Sequence, residues 1–362
     1  MANLWQRFTG RAETRAVQPT IPSRSATSVT PDTALTLTSV FRAIQIIGTP
    51  ISKMELRTFR YATGIEQQIE NPILVNKPSL SESRRNFFFM TVLDLALKGN
   101  SYWLKSFDSR GQVNDLTLLP ADAVSVQLNP LGTGKVFFYN TKKYSDTDIE
   151  HLQLYPRPGQ LIGASPIDTC RLDLALALDL RGYAANWFTS AGVPTGVLKT
   201  NQPLNPTDAE TITANWHNKQ QNRQIAVLGQ GFDYQQVALS PREAMFTDSQ
   251  AQAVQMVARL FGIPPRLLLT TIAGSSDTYT NVTDENQIFY RHTLMAYTDA
   301  ITDALSNCLP RGTRVEFDFE HLFKADVAAR MDYYKVAIEA GILTAEEVRT
   351  KEGLIQWKHA SS

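Results

Sequence analysis

Cysteine is nearly absent from this chain: Cys170 and Cys308 are far apart and form no CxxC spacing. A disulfide framework and a zinc knuckle are therefore excluded, and a reducing compartment fits. Long apolar runs are missing as well. None approaches the roughly 18 residues of a membrane span, and Met1 to Gln18, which carries Arg7, Arg11 and Arg15, has no continuous apolar segment of a secretory leader. Neither secretion nor a membrane partner is expected, so the sequon Asn281-Val282-Thr283 carries no weight. An excess of one charge is lacking too, because 35 Lys and Arg balance 35 Asp and Glu across 362 residues. The chain has no bulk electrostatic footprint for tight nucleic-acid binding, and any DNA partner must be handled loosely or locally.

Catalytic signatures are also missing. The histidines at 151, 217, 292, 321 and 359 show no metal-ligand spacing and read as isolated surface or capping residues. Gly132-Thr133-Gly134-Lys135 lacks the upstream glycine of a Walker loop and has Val136 where Ser or Thr would hold magnesium, so it reads as a hairpin turn. Gly229-Gln230-Gly231 lacks the third glycine of a dinucleotide fingerprint, since position 234 is Tyr. Cys170 lies near an expected helix N-terminus, where a thiol can be activated, but no base is nearby in sequence, and a small core residue is the default. Asp318, Glu320 and Asp326 match no calcium loop and read as a solvated face or helix cap. These residues indicate no enzyme and no cofactor.

What remains is the pattern of a folding chain long enough for two or three domains, α+β in class. Residues 1–33 read as an extended arm with Arg7, Arg11, Arg15 and Arg24. From Thr36, the positions Val40, Ile44, Ile47, Ile51 and Met54 recur as one helical face, with a kink expected near Pro50. A strand around Glu55–Arg60 and a helix over Phe87–Leu97 closed by Gly99-Asn100 follow. Asp108-Ser109-Arg110-Gly111 separates two alternating runs as a hairpin, and further strands lead to Pro156-Arg157-Pro158-Gly159.

Two helices of about 20 residues, each on the order of 30 Å long, have the clearest boundaries. The first opens on Ser165-Pro166-Ile167-Asp168 and runs to Phe188; the second opens on the capping box Ser240-Pro241-Arg242-Glu243 and stops at Gly262-Ile263-Pro264-Pro265. The inward face of the second is read as Phe246, Gln250, Val254, Val257 and Phe261. Between them lie a strand at Gly196–Lys199, a helix over Asn205–Gln220, and a hairpin joining Ile225–Leu228 to Phe232–Val237. A polar, small-residue loop at Thr270–Thr280 precedes a third helix from about Asp284 with Ile288, Leu294, Tyr297, Ile301 and Leu305 on its face. The chain ends with a strand at Arg314–Phe319 and short helices over Ala325–Ala340 and Ala345–Gly353.

Laid out in this order, the chain resembles a bacteriophage portal protein of the HK97-like family from about Thr36 to Leu354. The matches are Gly99-Asn100-Ser101-Tyr102, Leu119-Pro120 with Val124 and Val126, Asp148-Ile149-Glu150-His151, Gly163-Ala164-Ser165-Pro166-Ile167, and Phe188 with Gly192, Pro194, Gly196 and Leu198. Later come Val227-Leu228 with Gly231, Ala258-Arg259-Leu260-Phe261-Gly262-Ile263-Pro264-Pro265, Tyr279-Thr280-Asn281, Thr293-Leu294, Asp326, Arg330, Gly341, Leu343-Thr344 and Glu347-Val348-Arg349. Their ordered spacing carries the resemblance. Ala345-Glu346-Glu347 stands where the family usually has Asn-Glu, and the chain stops soon after Leu354.

The resemblance implies a portal fold divided into an arm (1–33), a wing (34–164), stem helix 1 (165–190), a clip (191–239), stem helix 2 (240–262), a tunnel-loop region (263–282), the rest of the wing (283–324) and a short crown (325–362). It implies a structural protein, not an enzyme, forming a dodecameric ring at the capsid portal vertex of a virion assembled in the host cytoplasm. Double-stranded DNA would pass through the channel during packaging and ejection. Other implied partners are the large terminase subunit, a head-tail adaptor protein and the major capsid protein. The tunnel loop would be Thr270, Thr271, Ile272, Ala273, Gly274, Ser275, Ser276, Asp277, Thr278, Tyr279 and Thr280. The stem caps would be Ser165, Pro166, Ser240, Pro241, Glu243, Gly262, Pro264 and Pro265, and the clip docking surface Asn205, Asp208, His217, Lys219 and Gln230. Two other readings stand beside it: a ring-forming adaptor or other structural virion protein without its own DNA channel, and an enzyme assembled from scattered residues such as Asp318, His321 and Asp326.

Overall fold

The structure is a computed structural model, which describes residues 28–62, 65–130, 132, 134–189, 196–200, 205–221, 232–236, 246–268, 285, 287–319, 327–352 and 354. Regular structure starts within the expected arm: α1 (Pro31–Leu35) is capped by Thr30, whose hydroxyl accepts from the Thr33 amide. Ala34 is fully buried. Helix α2 (Thr38–Lys53) buries Val40, Ile44, Ile47 and Ile51, as its periodicity requires. It continues one turn past Pro50, and the Pro50 carbonyl still accepts the Met54 amide at 3.0 Å.

Helix α2 packs on α4 (Arg84–Lys98). The two helices come close at Gly48, where an added Cβ would stand 2.9 Å from the Phe89 ring. Ser83 caps α4, and Gly99, at φ 69°, ends it in the left-handed conformation that glycine adopts without penalty. Between these elements lie β1 (Leu56–Ala62), β2 (Ile65–Ile69) and the one-turn α3 (Ile73–Asn76). The short β2 and α3 carry no periodicity long enough to be read from sequence.

Strand β3 (Asn100–Phe107) pairs antiparallel with β4 (Val113–Leu119) and β8 (Ile149–Gln153). The expected hairpin turn is present: the Asp108 carboxylate accepts from the Arg110 and Gln112 amides, and Gly111 has φ 73°. A second three-stranded sheet contains β5 (Ser125–Leu128), β6 (Lys135–Tyr139) and β7 (Lys142–Ser145). The Asn129 amide donates to the Gly134 carbonyl, so the Gly132 to Lys135 stretch closes the β5–β6 hairpin, not a phosphate site.

The expected first stem helix is split. Helix α5 (Pro166–Thr169) stops at Cys170, with φ −106° and ψ 24°, and α6 (Arg171–Thr189) begins at once. No Gly or Pro marks this break. Strand β9 (Gly196–Thr200) follows, then α7 (Pro206–Gln221) and β10 (Phe232–Gln236). Strand β10 pairs with β9, Phe232 opposite Thr200; the other expected hairpin arm, Ile225–Leu228, lies outside the described residues, as does the capping box at Ser240.

Helix α8 (Phe246–Phe261) packs against α6 and α2. Val257 and Phe261 are buried and Val254 half-buried, whereas Gln250, expected inward, is exposed. The third long helix starts irregularly. Tyr290–Leu294 is a π-turn that precedes α9 (Met295–Asn307). The wider turn shifts the face by one residue, burying Phe289 and leaving Ile288 57% exposed, against the regular spacing read from sequence. Leu294, Tyr297, Ile301 and Leu305 are buried as expected.

Strand β11 (Thr313–Phe317) pairs antiparallel with β1, setting Leu56 opposite Phe317. This pairing, with α9 packed on β11 and β8, closes the N-terminal core with residues more than 200 positions later. That core is aromatic: Phe87 lies 5.1 Å from Trp103, and Phe88 6.1 Å from Phe317. The buried Trp103 indole donates to Thr91 Oγ1, whose hydroxyl donates to the Phe87 carbonyl, so the polar groups stay satisfied. Helices α10 (Val327–Glu339) and α11 (Ala345–Lys351) end the described chain.

Candidate functional site

Two short glycine-containing segments, remote in sequence, meet where α5 leaves the core. A Cβ at Gly99 would lie 2.1 Å from the Ala164 carbonyl oxygen, and one at Gly163 2.4 Å from the carbonyls of Gly99 and Leu154. Backbones this close admit glycine only. Asn100 seals the contact: its Oδ1 accepts the Gly163 amide at 2.7 Å, while its Nδ2 donates to the carbonyls of Lys98 and Gly163. Ser165 acts in both directions, donating to the Leu97 carbonyl and accepting the Asp168 amide as cap of α5. With Pro166 at the first helical position, the expected start of the helix is fixed to the core through three backbone-directed bonds, Gly163 to Asn100, Asn100 to Gly163 and Ser165 to Leu97.

His151 supports the same junction from β8. Asn100 Oδ1 can only accept, so the contact at 3.0 Å makes His151 Nε2 the donor. Its Nδ1 is left to accept from Lys135 Nζ at 3.2 Å, and Lys135 also donates to Gln153 Oε1 at 2.8 Å. The ring stacks on Tyr102 at 4.4 Å. Burial first, then the Lys135 charge, holds the imidazole neutral and pulls its pKa down to about 3. His151 is thus a half-buried structural residue, not the surface or capping residue read from sequence.

The second cluster lies at the C-terminal end of α8. Gly262, at φ 63°, takes the left-handed position after the helix, and the Ile263 amide returns to the Ala258 carbonyl. Thr293 Oγ1 donates to the Gly262 carbonyl at 2.6 Å, and a Cβ at Gly262 would meet that oxygen at 2.5 Å. Pro264 leads into a 3₁₀ turn that begins at Pro265 and ends at Leu268. From that turn Arg266 Nε reaches Glu285 Oε2 at 2.8 Å. Two contacts, Gly262–Thr293 and Arg266–Glu285, therefore bring together the chain on either side of residues 269–284. The expected tunnel loop, Thr270–Thr280, lies outside the described residues, but its flanks meet here. Neither Thr293 nor Glu285 carried a signal in sequence, because each acts through a partner about 20 to 30 positions away.

Of the expected clip surface, Asn205 and Asp208 are exposed at the start of α7, where the Asn205 carbonyl accepts the Ala209 amide. His217 and Lys219 fall on α7 without described side chains, and Gln230, like Ser240, Pro241 and Glu243, lies outside the described residues.

The enzyme reading gains nothing from the geometry. Asp318 is buried and paired with Arg57 Nη2 at 2.6 Å, and Glu320, His321 and Asp326 lie outside the described residues. Among the described residues, no three metal-ligating side chains gather. Burial, and then Asp173, push the Cys170 thiol above its ordinary pKa, opposite to an activated nucleophile. No described helix is long and apolar enough to cross a membrane.

The architecture is that of solved portal proteins. The HK97 family phage portal protein from Corynebacterium diphtheriae has a TM-score of 0.62 and 16% identity, covering 83% of this chain and 99% of that one. A chain in the neck of a native gene transfer agent particle, computed with C12 symmetry, has a TM-score of 0.60 and 19% identity, covering 92% and 96%. The family model for the phage portal protein matches residues 38–353, and the chain belongs to that family. Among curated relatives, the probable portal protein of Streptomyces phage phiC31 is 24% identical over 94% of this chain and 81% of its own length. The portal protein of Enterobacteria phage HK97 is 22% identical over 90% and 81%. The α+β portal fold and the portal function expected from sequence thus hold.

Proposed function

We propose that this portal protein assembles into a dodecameric ring at the unique capsid vertex. Double-stranded DNA passes through its channel on packaging and ejection. Stem helix 1 (165–190) and stem helix 2 (240–262) bracket a clip (191–239) that docks the large terminase subunit and later a head-tail adaptor, while the major capsid protein surrounds the wing. The observation that carries this reading is the likeness, over 92% of this chain, to a neck protein computed with C12 symmetry.

The physical chemistry is consistent with a conduit. Each Lys or Arg held against a phosphate adds salt-dependent affinity, so a basic bore would grip a moving duplex. Residues 270–280 contain no basic residue and one acid, Asp277. The nearest described cation before the loop, Arg266, is engaged by Glu285. A loop of this composition, held at its base and without a positive charge along its length, touches DNA without binding it.

Electron microscopy of the purified full chain with native mass determination tests the reading. Rings of about twelve copies around an open pore are the expected result. A closed assembly with no pore would transfer the chain to the head-tail adaptor reading, and a stable monomer or dimer at every concentration would overturn ring assembly.

A further inference from the structure

A cavity of about 430 Å³ opens beside the Gly99–Ala164 junction, lined by Pro31 of α1, Lys98 at the end of α4, Ala121 and Ile162. One wall is apolar, with Val124, Val126 and Leu161. The rest is charged. Among the described residues that line it, Lys98 is the one cation, and its charge is already met: Nζ lies 2.7 Å from Asp122 Oδ2 and 3.4 Å from Asp94 Oδ1. Asp168, in the first turn of α5, adds another carboxylate to the wall. Three carboxylates around one ammonium leave the cavity negative.

The cavity also contains a hydroxyl with nothing to bond. The Tyr102 ring stacks on His151 and stands edge-on to Phe137, and the residue is 2% exposed. No described group hydrogen-bonds its hydroxyl, yet the one sealed, unpartnered side-chain oxygen among the described residues is Ser101 Oγ. The Tyr102 oxygen therefore faces the cavity that the residue lines. A phenol so enclosed is costly until a partner reaches it.

The chain has its own group for that space. Pro31, which lines the cavity, is the first residue of α1, and Thr33 Oγ1 donates to the Ser28 carbonyl at 3.4 Å. The segment before Ser28 therefore leaves from beside the cavity. Arg24 is four residues upstream, a reach of up to about 14 Å. Residues 1–27 carry Arg7, Arg11, Arg15 and Arg24 against a single acid, Glu13, the opposite sign to the cavity. Pro22 favours an extended backbone at Ile21, which sets an apolar side chain three residues ahead of the Arg24 guanidinium.

We propose that residues 21–24 fold back into this cavity of the same copy. The Arg24 guanidinium sits between Asp122 and Asp168 and donates to the Tyr102 hydroxyl, while Ile21 covers Val124 and Leu161. One fixed cation then satisfies the phenol and offsets the surplus of carboxylates together. The inference does not depend on ring assembly, because a single copy holds both the segment and the cavity.

Intramolecular cross-linking of the full chain tests it. In a Cys170→Ser background, the double variant R24C/D122C should lose both introduced thiols on mild oxidation while the product stays a single chain; R24C alone and D122C alone should keep theirs. A ladder of linked chains would assign the cavity to the arm of another copy, and two thiols that stay free would leave it without the arm. Either result overturns the inference. A second test needs no cysteine. Tyr102→Phe and Arg24→Gln should each lower the thermal midpoint of the full chain, and the two together should cost no more than Arg24→Gln alone. If Tyr102→Phe melts like the wild type, or if the two losses simply add, water serves the hydroxyl and the inference is overturned.

Discussion

At the scale of single residues, the junction between Gly99 and Ala164 is the least tolerant place in the described chain. Gly99→Ala would pair a positive φ with a methyl 2.1 Å from a carbonyl oxygen, each penalty on the order of 1–3 kcal/mol. We expect soluble yield or the denaturation midpoint to fall sharply, whereas Gly111→Ala, with nothing within 4 Å of its Cβ, should lose only the conformational share. The His151 site makes a prediction in pH. Its folded pKa, about 3, lies below the ordinary 6.5, so the unfolded chain binds the extra proton between those values. Its contribution is therefore complete above pH 6.5 and is lost as pH falls toward 3. Asp94, raised to about 6 by burial despite Lys98, acts with the opposite sign between its two values. Denaturation of wild type and His151→Gln from pH 7 to 4 should isolate the histidine: the wild type loses stability more steeply, and equal slopes would refute the assignment. The glycines and Asn100 could be named from sequence, but the reason for them could not. Their partners lie 63 to 65 positions away, and local pattern says nothing of that distance.

At the scale of elements, periodicity was informative where burial was one-sided and regular. Helices α2, α4 and α8 stand close to where their apolar spacing put them. The strands around Asp108-Ser109-Arg110-Gly111 followed from turn chemistry between two alternating runs. The misreadings have specific causes: Ile288 was placed inward because a π-turn is invisible to a 3.6-residue period, and the break at Cys170 has no helix-breaking residue to announce it. Strand β10 pairs with β9 across more than 30 positions, which no local pattern announces; its expected hairpin with Ile225–Leu228 falls outside the described residues. The end of α8 provides the test at this scale. Thr293→Val keeps the shape but removes the hydroxyl donated to the Gly262 carbonyl, leaving a half-buried acceptor at a cost of about 1–3 kcal/mol. Thermal melting should register the loss, and Thr293→Ser should recover most of it.

At the scale of the whole molecule, the first and last thirds of the chain form one core. Helices α6 and α8, between α5 and the π-turn, add Leu174, Ala177, Val257 and Phe261 to the same core. Shortening the 270–280 loop should therefore leave the fold and ring assembly intact, since its flanks are already joined by Arg266–Glu285 and Gly262–Thr293. DNA packaging or retention should fall; particles filled as well as wild type would remove the support for a tunnel loop. The family resemblance reached this organisation through the order of motifs, whereas composition and periodicity could not, because a core closed by strands more than 200 positions apart leaves no local trace. The break at Cys170 has a mechanical consequence. Helix α5 is riveted to the core through Ser165 and Asn100, but the first turn of α6 hangs from the Cys170 carbonyl through the amides of Asp173 and Leu174. Rotation about φ of Cys170 carries that carbonyl and α6 together, leaving every hydrogen bond of the rivet untouched. A load along α6 can thus swing the shaft on one backbone torsion, against the side contacts of α6, without prying at its mounting.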